Sequence, residues 1–141
     1  MGKPLVIGLD SALWIYLFED NPDFGDDAER IFRLIKEGQL QAVMSVIGLL
    51  EILTGPKQRH ELALAARYRE QISRFPHFQL VGVTEPVIEI ASDLRASYRL
   101  YTPDAIHIAT AIAASADIFV TNDHALRKVK EISVKLLKEF S

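Results

Sequence analysis

The chain contains no cysteine, which excludes disulfide bridges and any thiolate metal site. It also has no unbroken apolar run of about 18 residues, the length that crosses a bilayer as a helix, so no membrane-spanning segment is expected. A secretory leader is not expected either. The N-terminal stretch MGKPLVIGLDSALWIYLFED carries Asp10 in the middle of its apolar part and then meets Glu19 and Asp20, unlike a signal-peptide core. An excess of positive charge is lacking as well: 16 Lys and Arg face 19 Asp and Glu, for a formal net charge of −3. Global charge therefore does not mark a nucleic-acid binder. It does not exclude one, because acids gathered around a divalent cation lower the net charge while a basic rim can still hold phosphates. Repeats, low-complexity segments and linkers are absent too, and a cytoplasmic protein is the expectation.

What is present is ordinary globular material. At 141 residues, 49% hydrophobic and 25% charged, the chain has the size and composition of one compact domain, expected to span residues 1–141. Pro4 to Leu9 (PLVIGL) reads as a buried strand, followed by a helix over SALWIYLFE that Ser11 can cap. The NPDFGDD cluster stops it. A helix from near Asp26 carries Ala28, Ile31, Phe32, Leu34 and Ile35 at helical spacing and ends at Gly38. Gln41 to Val46 reads as a second strand, and the helix VIGLLEIL is expected to end at Gly55-Pro56. His60 to Phe75 is an amphipathic helix, Phe78 to Val83 a third strand, and Glu85 to Leu100 another helix. Thr102-Pro103 starts the next helix. Asp117 to Thr121 is the fourth strand, with a short helix from His124 and a last strand near Val134 to Leu137. Strands alternating with helices predict an α/β protein, a three-layer α/β/α sandwich around a mainly parallel sheet.

Ligands of such sheets bind beyond the carboxyl ends of the strands, and that is where four acids fall. Asp10 ends the first strand, and Asp123 lies two residues past the fourth. Asp104 sits in the first turn of its helix, and Glu51 about one and a half turns into the helix after the second strand. Each has a plain structural reading. Asp104 would complement a helix dipole, worth ~0.3–1 kcal/mol; Asp10 would cap a helix as readily as Ser11; Asp123 would be a loop acid or a cap. Glu51 is harder to dismiss, because it interrupts an apolar run where a solvated face is barely available. Together on one rim, unpaired carboxylates repel one another and some are driven to protonate. An all-oxygen cluster matches a hard cation, Mg²⁺ or Mn²⁺, and metal-assisted hydrolysis of phosphodiesters.

Four segments, LDSALWI, SVIGLLEIL, TPDAIHIATA and ADIFVTND, carry a resemblance to the PIN domain, in particular to the VapC-like toxin ribonucleases of toxin–antitoxin pairs. The last two are the most specific, in sequence and in spacing, and the resemblance covers essentially the whole chain. It implies a PIN-like fold and Mg²⁺-dependent endoribonuclease activity on an RNA substrate. It also implies a homodimer, and inhibition by a cognate antitoxin. The family's acidic quartet falls on Asp10, Glu51, Asp104 and Asp123. Asp10 and Asp104 match the positions most often in direct contact with metal, and Glu51 and Asp123 would complete the shell and orient water. Ser11 and Thr121 match supporting hydroxyl positions. One departure stands out. Many members have Asn or Thr near the second position after the first Asp, where this chain has Ala12.

Other residues offer less. His107 lies one turn after Asp104; a local bond within its helix is the expected role, with a supporting bond to the site as the functional reading. His124 reads as a surface residue. Lys57, Arg59, Arg127, Lys128 and Lys130 flank the rim and suit RNA phosphates, or form a solvated face. Trp14, Tyr16 and Phe18, with Leu13 and Leu17, make a helix that is apolar nearly all round, so it is either buried or an interface for a second copy or the antitoxin. The rival reading is a degenerate PIN-like module that binds RNA or protein without cleaving it. A dehalogenase-like phosphatase would need a second acid where Ala12 stands, and a receiver-like phosphoacceptor would need an acidic pair that the chain lacks.

Overall fold

A computed structural model describes residues 2–140. The strands are β1 (Leu5–Leu9), β2 (Leu40–Ser45), β3 (Phe78–Val81), β4 (Ile118–Thr121) and β5 (Ser133–Leu136). The helices are α1 (Ser11–Phe18), α2 (Gly25–Lys36), α3 (Val46–Gln58), α4 (Leu62–Arg74), α5 (Glu85–Tyr98), α6 (Thr102–Ala113) and α7 (Leu137–Phe140). A 3-10 turn covers His124–Lys128. The sheet order is β3-β2-β1-β4-β5, and every described pairing is parallel. The expected α/β sandwich is therefore present, with a wholly parallel rather than mainly parallel sheet among the described residues.

Side chains alternate across the strands, as a pleated sheet requires. Ile7 and Leu9 of β1 and Leu40, Ala42 and Met44 of β2 join Leu13, Trp14, Ile31, Phe32, Ile35 and Ile72 on one face. Phe119 of β4 points to the other, among Val87, Leu94, Ile108 and Leu126. α5 and α6 cover that second face. Gly8 lets α6 lie directly on β1: a Cβ built there would stand 2.5 Å from the Ala111 Cβ and 3.2 Å from Phe119. Close seating of α6 on the central strand fixes where its first turn ends up.

Several boundaries differ from the sequence reading. Asp10, not Ser11, caps α1, its Oδ1 accepting the Ala12 amide at 3.1 Å. Val46 belongs to α3 rather than to β2, because the Ser45 hydroxyl accepts the Ile47 amide and opens the helix there. α3 continues through Gly55-Pro56 to Gln58. Pro56 forfeits one hydrogen bond near the helix end, but its ring is buried and the chain turns only at His60, with φ of 59°. β3 stops at Val81, whose partner Ser45 is the last residue of β2. α7 was not anticipated and takes over Leu137 from the expected last strand.

Candidate active site

β1 is the centre of the sheet. The chain winds outward from it through β2 to β3, then returns to lay β4 and β5 on its other side. The β1–β4 border is thus the topological switch point, where a crevice opens beyond the carboxyl ends. Asp10 follows β1 directly and Asp123 follows β4 by two residues.

These two ends are tied together. The Thr121 hydroxyl, fully buried, donates to Asp10 Oδ2 at 2.8 Å and accepts the Asp123 amide at 3.1 Å. Asp123 Oδ1 in turn accepts the Ala125 amide at 2.9 Å and caps the 3-10 turn. The capping roles of Asp10 and Asp123 are therefore real, and they orient the two carboxylates beside the crevice. Each fits a structural and a site reading at once.

Asp104 is the third residue of α6 and half-buried; Glu51 is the sixth of α3, with a side chain 33% exposed. Glu51 Oε1 receives a hydrogen bond from His107 Nε2 at 2.7 Å, 56 residues away in sequence. The histidine is 3% exposed. The expected local bond of His107 is thus replaced by a long-range one, and this residue was underweighted in the sequence reading. A signal existed: His107 is the one ionisable residue in the otherwise apolar and hydroxyl-bearing run Ala105–Ala111, all of it buried.

The carboxylates share one field. Burial pushes the Asp10 carboxyl up, partly offset by the Thr121 hydroxyl, the nearby His107 ring and the Ala12 amide, with Asp104 adding to the rise. Burial likewise raises Asp104, helped by the charges of Asp123 and Glu51 and opposed by His107. Glu51 moves the opposite way: the His107 hydrogen bond holds it below the usual range against burial, with a hydrogen bond from Ser11 assisting. One anion is thus secured by a neighbouring base, and two carboxyls are held in a state that a cation would relieve.

The donor set is hard oxygen, which suits Mg²⁺ or Mn²⁺. As arranged, no three of the acids and histidines among the described residues are gathered closely enough to hold an ion. Donor chemistry and mutual repulsion fit a cation.

The basic residues are unevenly placed. Arg59 pairs with Glu61, and Arg127 reaches Glu139 at 3.3 Å, while Lys57, Lys128 and Lys130 are exposed. His124 is exposed, as expected. Trp14 is 1% exposed and rests among Phe18, Phe32, Phe75 and Phe78, with ring centroids 4.2–5.4 Å away. Phe18 stacks on Tyr68 at 4.2 Å. The aromatic side of α1 is core.

A family model for the PIN domain matches residues 7–132 of this chain. No curated protein sequence gives a significant match. Among solved structures, a VapBC complex of Rickettsia felis bound to a promoter DNA fragment is similar at a TM-score of 0.75 and 16% identity, covering 94% of this chain and 98% of that one. A Mycobacterium tuberculosis VapC toxin that cleaves the sarcin–ricin loop gives 0.68 and 15%, covering 90% and 98%. A toxin–antitoxin complex of Klebsiella pneumoniae gives 0.68 and 21%, covering 91% and 94%. At these identities the likeness is one of fold.

Proposed function

The chain belongs to the PIN domain family, and we propose that it is a metal-dependent endoribonuclease acting as the toxin of a toxin–antitoxin pair. The observation that carries this reading is the rim at the switch point. There Thr121 ties Asp10 to the Asp123 backbone, while Asp104 feels the charges of both Asp123 and Glu51.

In this reading Asp10 and Asp104 hold Mg²⁺ or Mn²⁺, with Glu51 and Asp123 beside them. A bound cation of this type lowers the pKa of water and stabilises a leaving oxygen during phosphodiester hydrolysis. The chain's own residues do the rest. Thr121 and the Ala12 amide fix the Asp10 carboxylate in direction. Glu51 stays charged and orients water. Lys57, Lys128 and Lys130 contribute positive charge along the approach for RNA phosphates, which position a strand without reading its sequence. That solved proteins of the same fold include a toxin that cleaves the sarcin–ricin loop and a toxin–antitoxin complex supports the choice of RNA as substrate and of an antitoxin as partner. Exposed apolar side chains, Leu50 at 64%, Leu62 at 65% and Tyr101 at 81%, are the surface on which a homodimer or the antitoxin would draw. Residues 1–141 then act as one ribonuclease domain. No described helix is long and apolar enough to cross a membrane, in keeping with the expected cytoplasmic location.

The rival reading is a PIN-like module that binds RNA without cutting it. Incubating metal-stripped protein with a single-stranded RNA separates the two. Cleavage that starts on addition of Mg²⁺ or Mn²⁺ and stops with a chelator supports the nuclease. Binding without cleavage in either metal supports the binding module.

A further inference from the structure

His107 is an expensive choice for its position. The run Ala105–Ala111 of α6 is wholly buried, and an aliphatic side chain there would need no hydrogen-bond partner. The imidazole instead leaves Nδ1 buried with no protein partner, which an apolar side chain would avoid. Its other nitrogen does not turn back to its own helix. Nε2 crosses to α3 and meets Glu51 Oε1 at 2.7 Å.

That contact ties one acid of the rim to the helix that carries another. His107 lies three residues after Asp104 on α6, so the two share a helix face. Glu51 comes from α3 and is partly open to solvent, where a glutamate would otherwise sample many rotamers. The geometry points to His107 as the positioning residue of the site, holding the Glu51 carboxylate at a set place relative to Asp104. The role rests on the nuclease reading for its catalytic meaning, and for its geometry on the α6–α3 contact, beside which Ser11 of α1 gives Glu51 a further hydrogen bond. It makes His107 the residue through which packing of the two helices determines where the Glu51 charge stands. The hydrogen-bond donor at Nε2, not the ring or its volume, is the part that acts.

The test uses the full chain and compares wild type with His107→Gln and His107→Leu. Glutamine offers an amide N–H near the Nε2 position; leucine keeps the bulk and loses the donor. Melting temperature, kcat and KM for a single-stranded RNA with Mg²⁺ are measured. The imidazole nitrogen spectrum of metal-free wild type and Glu51→Ala is recorded alongside. The expectation is that His107→Leu loses about 10–100-fold in kcat with KM and folding kept. His107→Gln should stay within about 3-fold of wild type. The spectrum should show a proton on Nε2, slow to exchange, whose signal shifts in Glu51→Ala. If His107→Leu fails to fold, His107→Asn replaces it, being polar but too short to reach Glu51, and it should be as inactive.

Full activity in a folded His107→Leu or His107→Asn protein would overturn the inference. So would equal loss in His107→Gln and His107→Leu, or an Nε2 signal indifferent to Glu51→Ala. A wild type that cleaves no RNA with any metal overturns the nuclease reading instead. The imidazole spectrum then still decides whether His107 holds Glu51.

Discussion

The Thr121 hydroxyl donates to Asp10 Oδ2 at 2.8 Å, joining the carboxyl ends of the two central strands. Thr121→Val keeps shape and removes that bond, leaving the Asp123 amide without its acceptor as well. Loss of a bond from a buried hydroxyl to a carboxylate is expected to cost about 1–3 kcal/mol in urea unfolding, and cleavage should fall about tenfold or more. Thr121→Ser should retain both. Wild-type stability and activity in Thr121→Val would mean the hydroxyl orients nothing.

Asp104 gives a pH-dependent prediction. Burial and the charges of Asp123 and Glu51 raise its carboxyl in the folded protein, so the fold binds that proton more tightly than the unfolded chain does. Its cost to stability is absent at acid pH, below the ordinary value of about 3.9, and grows as pH rises through the folded value. Metal-free Asp104→Asn should accordingly melt a few degrees above wild type at neutral pH, and the gap should close in acid. Glu51 has the opposite sign: its lowered carboxyl contributes stability above about 4.3 that is lost as pH falls. Calorimetry across pH 3–8 on wild type, Asp104→Asn and Glu51→Gln checks the pair, and an Asp104→Asn gap that widens in acid, or a Glu51→Gln loss that does, would refute the sign.

Trp14 belongs to the core and not to an interface. With its ring enclosed by Phe18, Phe32, Phe75 and Phe78, Trp14→Ala should cost about 3–5 kcal/mol of stability. Sedimentation should show oligomerisation changed only as far as unfolding changes it. A well-folded Trp14→Ala protein with altered self-association would return this residue to the surface.

Much of this was legible in the sequence because local signals agreed with the fold. PLVIGL, DIFVT and the small-residue helix from Thr102 each read in one way, and strand–helix alternation dictated a parallel sheet with its acids on one edge. Where the sequence misled, two local signals competed. Ser45 and Asp10 carry side chains that cap helices from the last strand position or just after it, so strand and helix meet without a loop. Gly55-Pro56 reads as a stop, yet burial of the proline ring keeps α3 going. A supporting bond from His107 to the site was open in the sequence, but its partner was not legible, since nothing in local spacing says that a residue on α6 will face Glu51 on α3. Apolarity around α1 was legible, but its direction, inward rather than toward a partner, depended on α2 and α4 closing over it.

Reversing the charge of Lys128 should weaken RNA binding and lower its salt dependence by about one phosphate contact. Arg127 is the contrasting position. Its guanidinium is engaged by Glu139 at 3.3 Å, so Arg127→Glu should have the smaller effect on binding. Filter binding at several salt concentrations measures both, and an unchanged slope in Lys128→Glu would remove that lysine from the RNA path.

Metal-dependent cleavage by the acidic rim is the central claim, and the most direct measurement is cleavage of a single-stranded RNA by Asp10→Asn and Asp104→Asn beside wild type, with and without Mg²⁺ or Mn²⁺. Asparagine keeps the size of each side chain, and at position 10 it can still cap α1, so circular dichroism should show both variants folded. The account predicts wild-type cleavage that vanishes on chelation and returns with metal, and almost none from either variant in any condition. Metal-dependent cleavage at the wild-type rate by a folded Asp104→Asn protein would contradict it.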